Sequence, residues 1–279
     1  MSLPCGGDRL AVQTLVDLAV ELETVGWDGV FLEDYLVHYR GDDPATYDPW
    51  LVLAAVAGRT STITLGTGVT GLLARDPVKL AREALTLRDL SDGRVVLGVG
   101  LGDPGDRGAS IHPLWDAERP RGEQMDERLD LLLALLAQPD PRSSRVRVQP
   151  LEDAGGRVPV WVGGSSQAGV VARRAARAQG VLPYKLSDTE QWSDFTSDEV
   201  AELAGAVASQ RGAPGDLSGF AIAIGGRRRL ATVEGERAAV EAAARGGATW
   251  WVEYIYPGSP DKMFEAVRRG PVRASSAVG

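Results

Sequence analysis

Two carboxylates and a phenol stand side by side at Glu33-Asp34-Tyr35, directly after a β-rich run that begins at Asp28. Carboxylates can move protons in acid–base chemistry. Adjacent residues of an extended strand point to opposite faces, so Glu33 and Asp34 cannot act as one pair, and at most one of them faces a shared site. A strand-end carboxylate that only ties neighbouring loops together is the competing reading. The second candidate is Gly163-Gly164-Ser165-Ser166. Its glycines let a ligand approach the backbone and its serines offer hydroxyls, while a helix expected to start at Ser166 presents free N–H groups and a positive dipole end, together a cradle for phosphate. An ordinary tight turn with a serine cap uses the same residues.

Gly98, Gly100 and Gly102 alternate along and beyond one apolar run, and Gly66 and Gly68 along another. Missing side chains leave room either for a flat ring system with its phosphate tail or for close packing of strands. Gly98-Val99-Gly100 lacks the third glycine of a dinucleotide fingerprint. Arg227-Arg228-Arg229 could hold a phosphorylated ligand or form a solvated basic loop. The two histidines, His38 and His112, lack metal-ligand spacing, so no metal is expected.

Helix-period segments and short β-rich runs alternate along the chain, the pattern of parallel βα units. Helices are expected over 9–25, 49–59, 77–90, 124–136, 166–179, 196 onward, 234–245 and from 260. Gly26 ends the first, and Asp76 with Pro77 opens the third. Thr196 and Glu199 have capping-box spacing, and Ser259 caps the helix that Pro260 opens. Strands are expected over 28–33, 63–69, 94–100, 158–162, 181–185, 220–224 and 249–254. Only Met1 to Pro4 precede Cys5-Gly6-Gly7, so the first strand is abbreviated. Eight βα units favour an α/β fold closed as a (β/α)8 TIM barrel, one domain over 1–279 with a frayed tail at 274–279. Its active site then lies at the C-terminal strand ends, where all the candidates above fall. Trp250 and Trp251 should face opposite sides of their strand.

Composition narrows the function. A formal charge of -8 makes the global field repulsive to nucleic acid and to anionic membranes. Cys5 is the single cysteine, which excludes an internal disulfide and fits a reducing cytoplasm. No apolar stretch is long enough to span a bilayer, and no signal peptide is expected.

Several segments, in order, resemble the bacterial-luciferase-like (LLM-class) flavin-dependent oxidoreductases. They are Glu23 to Tyr35 (ETVGWDGVFLEDY), Ile63 to Thr70 (ITLGTGVT), Arg75 to Gly102, Arg128 to Leu136, Val158 to Gly164 (VPVWVGG) and Gly247 to Glu253 (GATWWVE), with Gly270-Pro271 near the end. The resemblance implies FMN, or a deazaflavin coenzyme in some branches, with the ring over the strand ends. It places Gly68, Val69 and Thr70 behind the ring, Gly100 and Leu101 beside the cofactor, and its phosphate at Gly163, Gly164, Ser165 and Ser166. It also implies a non-prolyl cis peptide at Gly68–Val69. Tyr35 and Glu33 would orient the ring or a small organic substrate, in an oxidoreductase or monooxygenase that pairs as a homodimer through outer helices. Tyr35 departs from the histidine that relatives often carry after this aspartate, and the segment between Leu136 and Val158 is shorter than usual. These departures motivate one alternative, a flavin-binding homologue without catalysis. The arginine run motivates another, a flavin-free barrel enzyme using a phosphorylated substrate.

Overall fold

The computed structural model describes residues 1–7, 10–37, 46–103, 105–106, 116–137, 158–165, 169–185, 192–212 and 215–275. The expected alternation is realised as eight parallel strands. They are β1 (Ser2–Leu3), β2 (Gly29–Asp34), β3 (Thr64–Gly71), β4 (Val95–Gly100), β5 (Val160–Ser165), β6 (Gly180–Tyr184), β7 (Ala221–Arg227) and β8 (Trp250–Glu253). Each pairs with the next in chain order. The ring closes through a parallel bridge between Ser2 and Tyr254, with the Ile255 N–H donating to the Ser2 carbonyl at 3.0 Å. This is the (β/α)8 barrel that the alternation predicts, and β1 is two residues long.

The helices α1 (Val12–Thr24), α2 (Pro49–Ala57), α3 (Pro77–Leu90), α4 (Arg121–Leu136), α5 (Gly169–Ala175), α6 (Ser197–Gln210), α7 (Val233–Arg245) and α8 (Pro260–Arg268) form the outer layer. Local chemistry sets their ends. The Asp48 carboxylate accepts from the Trp50 and Leu51 N–H groups, and Asp76 accepts from Lys79. Thr196 and Glu199 form the expected capping box. Gly26 takes φ 87°, the left-handed position that stops α1. Ser259 occupies the N-cap position of α8, but its side chain makes no capping hydrogen bond. α5 ends at Ala175, short of the expected Gln179. There the Gln179 N–H donates to the Val160 carbonyl and its side chain accepts from the Val160 N–H, so β5 draws this residue out of the helix.

Alternation splits the core in two. Val30, Leu32, Leu65, Leu97, Val160, Val162, Ile222 and Ile224 face outward into the main core under the helices. Phe31, Val96, Trp161, Ala223 and Val252 face inward, joined by Leu182 and Trp250. Phe31 stacks on Trp161 at 5.4 Å, and Trp161 meets Trp250 edge-on at 5.3 Å, so aromatic rings plug the barrel's lower interior. The plug fits because its neighbours lack side chains: a Cβ on Gly66 would stand 2.7 Å from the Phe31 ring, and one on Gly180 2.4 Å from Trp161. Trp251, as alternation requires, turns outward, where its indole N–H donates to Glu236 at 2.8 Å. Among the described residues, no helix is long and apolar enough to cross a membrane.

Candidate functional site

Above the aromatic plug, at the C-terminal strand ends, the barrel interior changes character. Gly68, Gly98, Gly100 and Gly163 continue the inward-facing rows, and the space left by Gly98, Gly100 and Gly163 is taken by one side chain, Val69. A Cβ on Gly100 would stand 2.9 Å from Val69 Cγ2, and one on Gly163 2.8 Å from Val69 Cγ1. A Cβ on Gly98 would come within 2.0 Å of the Thr67 carbonyl oxygen. Of the two readings of the alternating glycines, close packing therefore accounts for Gly66, Gly98 and Gly100. The Gly68–Val69 peptide is cis, as the resemblance implies. The β3–β4 register shifts between Gly66 and Thr70, so this stretch bulges inward and half-exposes Val69 at the mouth. The wall on the side of β3, β4 and β5 is thus backbone and one valine.

The two adjacent carboxylates part as alternation predicts. Glu33 lies two residues above Phe31 on the interior face, where the Tyr254 phenol hydrogen-bonds to it. Burial and the Glu33 carboxylate push that phenol well above its usual range. Asp34 turns outward, accepts from the Thr70 hydroxyl at 2.9 Å and forms an ion pair with Arg75. Its side chain is 1% exposed. Burial pushes its carboxyl up, and the Arg75 guanidinium works against that. Asp34 therefore joins the ends of β2 and β3 from outside, fixing the backbone that carries Val69. Cys5 lies buried beside this group, its thiol pushed up to about 12 by burial, against which a backbone hydrogen bond from Tyr35 acts.

Tyr35 is oriented by the loop after β4: its hydroxyl donates to Asp103 at 3.1 Å. The Asp106 carboxylate accepts from the Leu36 and Val37 N–H groups at 2.8 and 2.9 Å. Leu101 packs partly buried against the outer core, and Arg121 donates to the Gly102 carbonyl at 3.1 Å. Gly163, Gly164 and Ser165 were expected in a turn but form the end of β5, paired with Leu182, Pro183 and Tyr184. Parallel pairing with β6 carries the strand through these residues, and Val69 packs against the open side of Gly163. Ser165 is half-buried at the mouth. Ser166 lies outside the described residues, as do His38 and His112.

The arginine run divides: Arg228 is exposed, as the solvated reading has it, while Arg227 and Arg229 are not. Arg227 ends β7 and grips Asp194 with two bonds at 2.5 and 2.7 Å, while also donating to Glu236, which is fully buried, at 2.8 Å. Arg229 grips Glu253 with bonds at 2.8 and 2.7 Å. These are partly buried ion pairs, neither a solvated loop nor open phosphate ligands. Their carboxylate partners, 24 or more residues away in sequence for Asp194 and Glu253, carried no local signal. Sequence reasoning marked Tyr254 only as a strand-end residue and missed Arg75 and Trp192. Arg75 lies in a segment that carries the resemblance, so it was findable. Among the described residues, no cluster of His, Cys, Asp and Glu could hold a metal ion. A groove between α2 and α3, lined by Trp50, Leu51, Leu87 and Leu90, lies on the outer layer and not at the mouth.

A family model described as luciferase-like monooxygenase matches residues 5–274. The chain belongs to this family. Two relatives are F420-dependent glucose-6-phosphate dehydrogenases. That of Nakamurella multipartita is 36% identical over 129 residues, covering 45% of this chain and 37% of the relative. That of Microbacterium testaceum is 30% identical over 202 residues, covering 67% and 57%. The chain thus matches less than two thirds of either relative's length. In architecture this luciferase-like barrel is similar to the coenzyme F420-dependent tetrahydromethanopterin reductase from Methanopyrus kandleri, with a TM-score of 0.67 at 15% identity over 96% of each chain. It is also similar to an F420-dependent secondary alcohol dehydrogenase in complex with an F420-acetone adduct, with a TM-score of 0.64 at 14% identity over 99% of this chain and 86% of the other.

Proposed function

We propose that this luciferase-like protein is an oxidoreductase that uses the deazaflavin F420 in preference to FMN and acts on a small organic substrate. The observation that carries the reading is the mouth wall made by Val69 over Gly98, Gly100 and Gly163, a side-chain-poor surface suited to a flat ring, in a chain whose matched relatives are named as F420-dependent. Bound there, the deazaflavin supplies two-electron hydride chemistry. Gly68, Val69 and Thr70 back its ring, Gly100 and Leu101 border it, and Gly163, Gly164, Ser165 and Ser166 offer backbone and hydroxyls to its phosphate.

The chain's own groups handle the proton. Glu33, inside the mouth and hydrogen-bonded by Tyr254, accepts the proton that an alcohol O–H releases and returns it in the reverse direction. Tyr35, held by Asp103 through its hydroxyl, positions the ring or substrate. Two copies are proposed to pair across the α2–α3 groove, where Leu51 is 75% exposed.

The test is a pair of absorbance and fluorescence titrations of the purified protein, one with F420 and one with FMN. Saturable binding of F420, tighter than that of FMN, is expected. Binding of FMN alone would overturn the coenzyme choice, and binding of neither would overturn the function.

A further inference from the structure

The arc of the mouth from β6 to β8 differs from the rest of the rim in two ways. Its cations are already matched. The Lys185 ammonium donates to both Glu199 oxygens at 2.6 and 2.7 Å, and Arg227 and Arg229 hold Asp194, Glu236 and Glu253 as described. The remaining cation among the described residues of this arc, Arg228, sits over Tyr256, its guanidinium carbon 4.0 Å from the ring centroid. Among the described residues the arc has as many carboxylates as cations and so offers no surplus positive charge to a dianion, and the chain as a whole repels one.

What the arc does present is aromatic surface. Tyr184 at the end of β6 is 36% exposed, and Trp192 is 45% exposed. Their rings lie 5.5 Å apart. Trp192 does not dangle. The Ser193 N–H donates to the Lys185 carbonyl at 3.0 Å, Asp194 is clamped by Arg227, and the indole covers Gly226, where a Cβ would stand 2.9 Å from the ring. Tyr254 and Tyr256, at and just beyond the end of β8, form a second, partly buried pair, edge-on at 4.8 Å. A large aromatic side chain that is anchored by the two residues after it and by Gly226 under its ring, yet left half open to solvent, is shaped for a ligand with an apolar face.

We infer that this arc is the substrate subsite and that it takes an uncharged, ring-bearing alcohol or ketone rather than a phosphorylated sugar. The inference deepens the function proposed above and rests on it for the reaction, but not for the binding.

The test therefore leaves the coenzyme out. Saturation-transfer NMR on the full chain, with acetophenone and separately with glucose 6-phosphate, reads binding directly. Transfer to the acetophenone ring protons is expected, with affinity falling roughly three- to tenfold in Trp192→Ala and in Tyr184→Ala, as loss of a ring contact implies, and largely kept in Trp192→Phe. Circular-dichroism melting reports whether each variant is folded, and the Phe variant keeps the ring even where the Ala variant fails. Glucose 6-phosphate should show no transfer. Binding of glucose 6-phosphate without acetophenone, or acetophenone binding that neither alanine variant weakens, overturns the inference. A protein that binds acetophenone on these residues but no deazaflavin would keep the subsite and lose the proposed reaction, whereas deazaflavin binding without acetophenone binding would do the reverse.

Discussion

Replacing Gly100 by alanine tests whether Val69 fills the glycine-lined wall. The new Cβ would stand 2.9 Å from Val69 Cγ2, while its next neighbour, the Gly163 carbonyl oxygen, is a comfortable 3.6 Å away. Apolar carbons prefer about 3.5–4.0 Å, so the valine has to move by more than half an ångström. It has little freedom to do so. Its branched side chain is stiff, and its other methyl carbon already faces the Gly98 and Gly163 positions at 3.4 and 2.8 Å from their would-be Cβ atoms. Overpacking of this kind costs about 1–3 kcal/mol. Val69→Ala removes both methyl groups, and being half-exposed should cost about 1 kcal/mol. In the double variant the clash disappears, so its loss should be smaller than the sum of the single losses by about 1–2 kcal/mol. Urea unfolding of the four proteins measures this coupling. Additivity within about 0.5 kcal/mol would refute the packing argument. Gly100→Ala should also weaken F420 binding, because the displaced valine moves into the mouth; unchanged affinity in the same titration would take Val69 out of the ring wall.

Asp34→Ala takes from Arg75 its buried partner, leaving it the Asp48 carboxylate at 3.5 Å, and strands the Thr70 hydroxyl, so it should cost about 3–5 kcal/mol in chemical denaturation, against about 1–2 kcal/mol for Asp48→Ala, which removes a helix cap and that longer ion pair. Equal losses would mean that Asp34 does not tie β2 to β3. Glu23 is pushed up by burial but brought down overall, from the ordinary 4.5 to about 2, by the N–H groups of Thr62, Ile63 and Ser61 and the Thr62 hydroxyl. Because its folded value is depressed, its contribution is full above about pH 4.5 and is lost as pH falls toward about 2; discounted for solvent screening it is about 1 kcal/mol. Glu23→Gln should flatten stability across that window, and identical pH curves for the two proteins would disprove the assignment. Gly205 is exposed within α6 with nothing within 4 Å of a Cβ, so Gly205→Ala should raise stability by about 0.5–1 kcal/mol and lift the melting temperature, and a lowered one would contradict the open space seen there.

Much of the fold was legible because its causes are local. The period of Leu15, Leu18 and Leu22, the stop at Gly26, the caps at Asp48, Asp76 and Thr196, and the alternation that sends Trp250 inward and Trp251 outward all act within a few residues of chain. The helix expected at Ser166–Gln179 ended early at Ala175, because Gln179 is claimed by Val160 across the sheet. The turn read at Gly163 proved to be strand, because its backbone pairs with Leu182, Pro183 and Tyr184 of β6, a partner about 20 residues away that only the barrel brings alongside.

The sequence by itself determined that eight βα units follow one another, that Glu33 and Asp34 must part, and, through segments spread along most of its length, which family the chain resembles. Tertiary structure decided which carboxylate faces the mouth, what the glycines make room for, and which cations are left to meet a ligand. Arg227, Arg228 and Arg229 are adjacent and chemically alike in the sequence. They differ in fate because Asp194, Glu236, Glu253 and Tyr256 reach them only when the barrel closes, and ion pairing depends on distance in space, which no local pattern encodes.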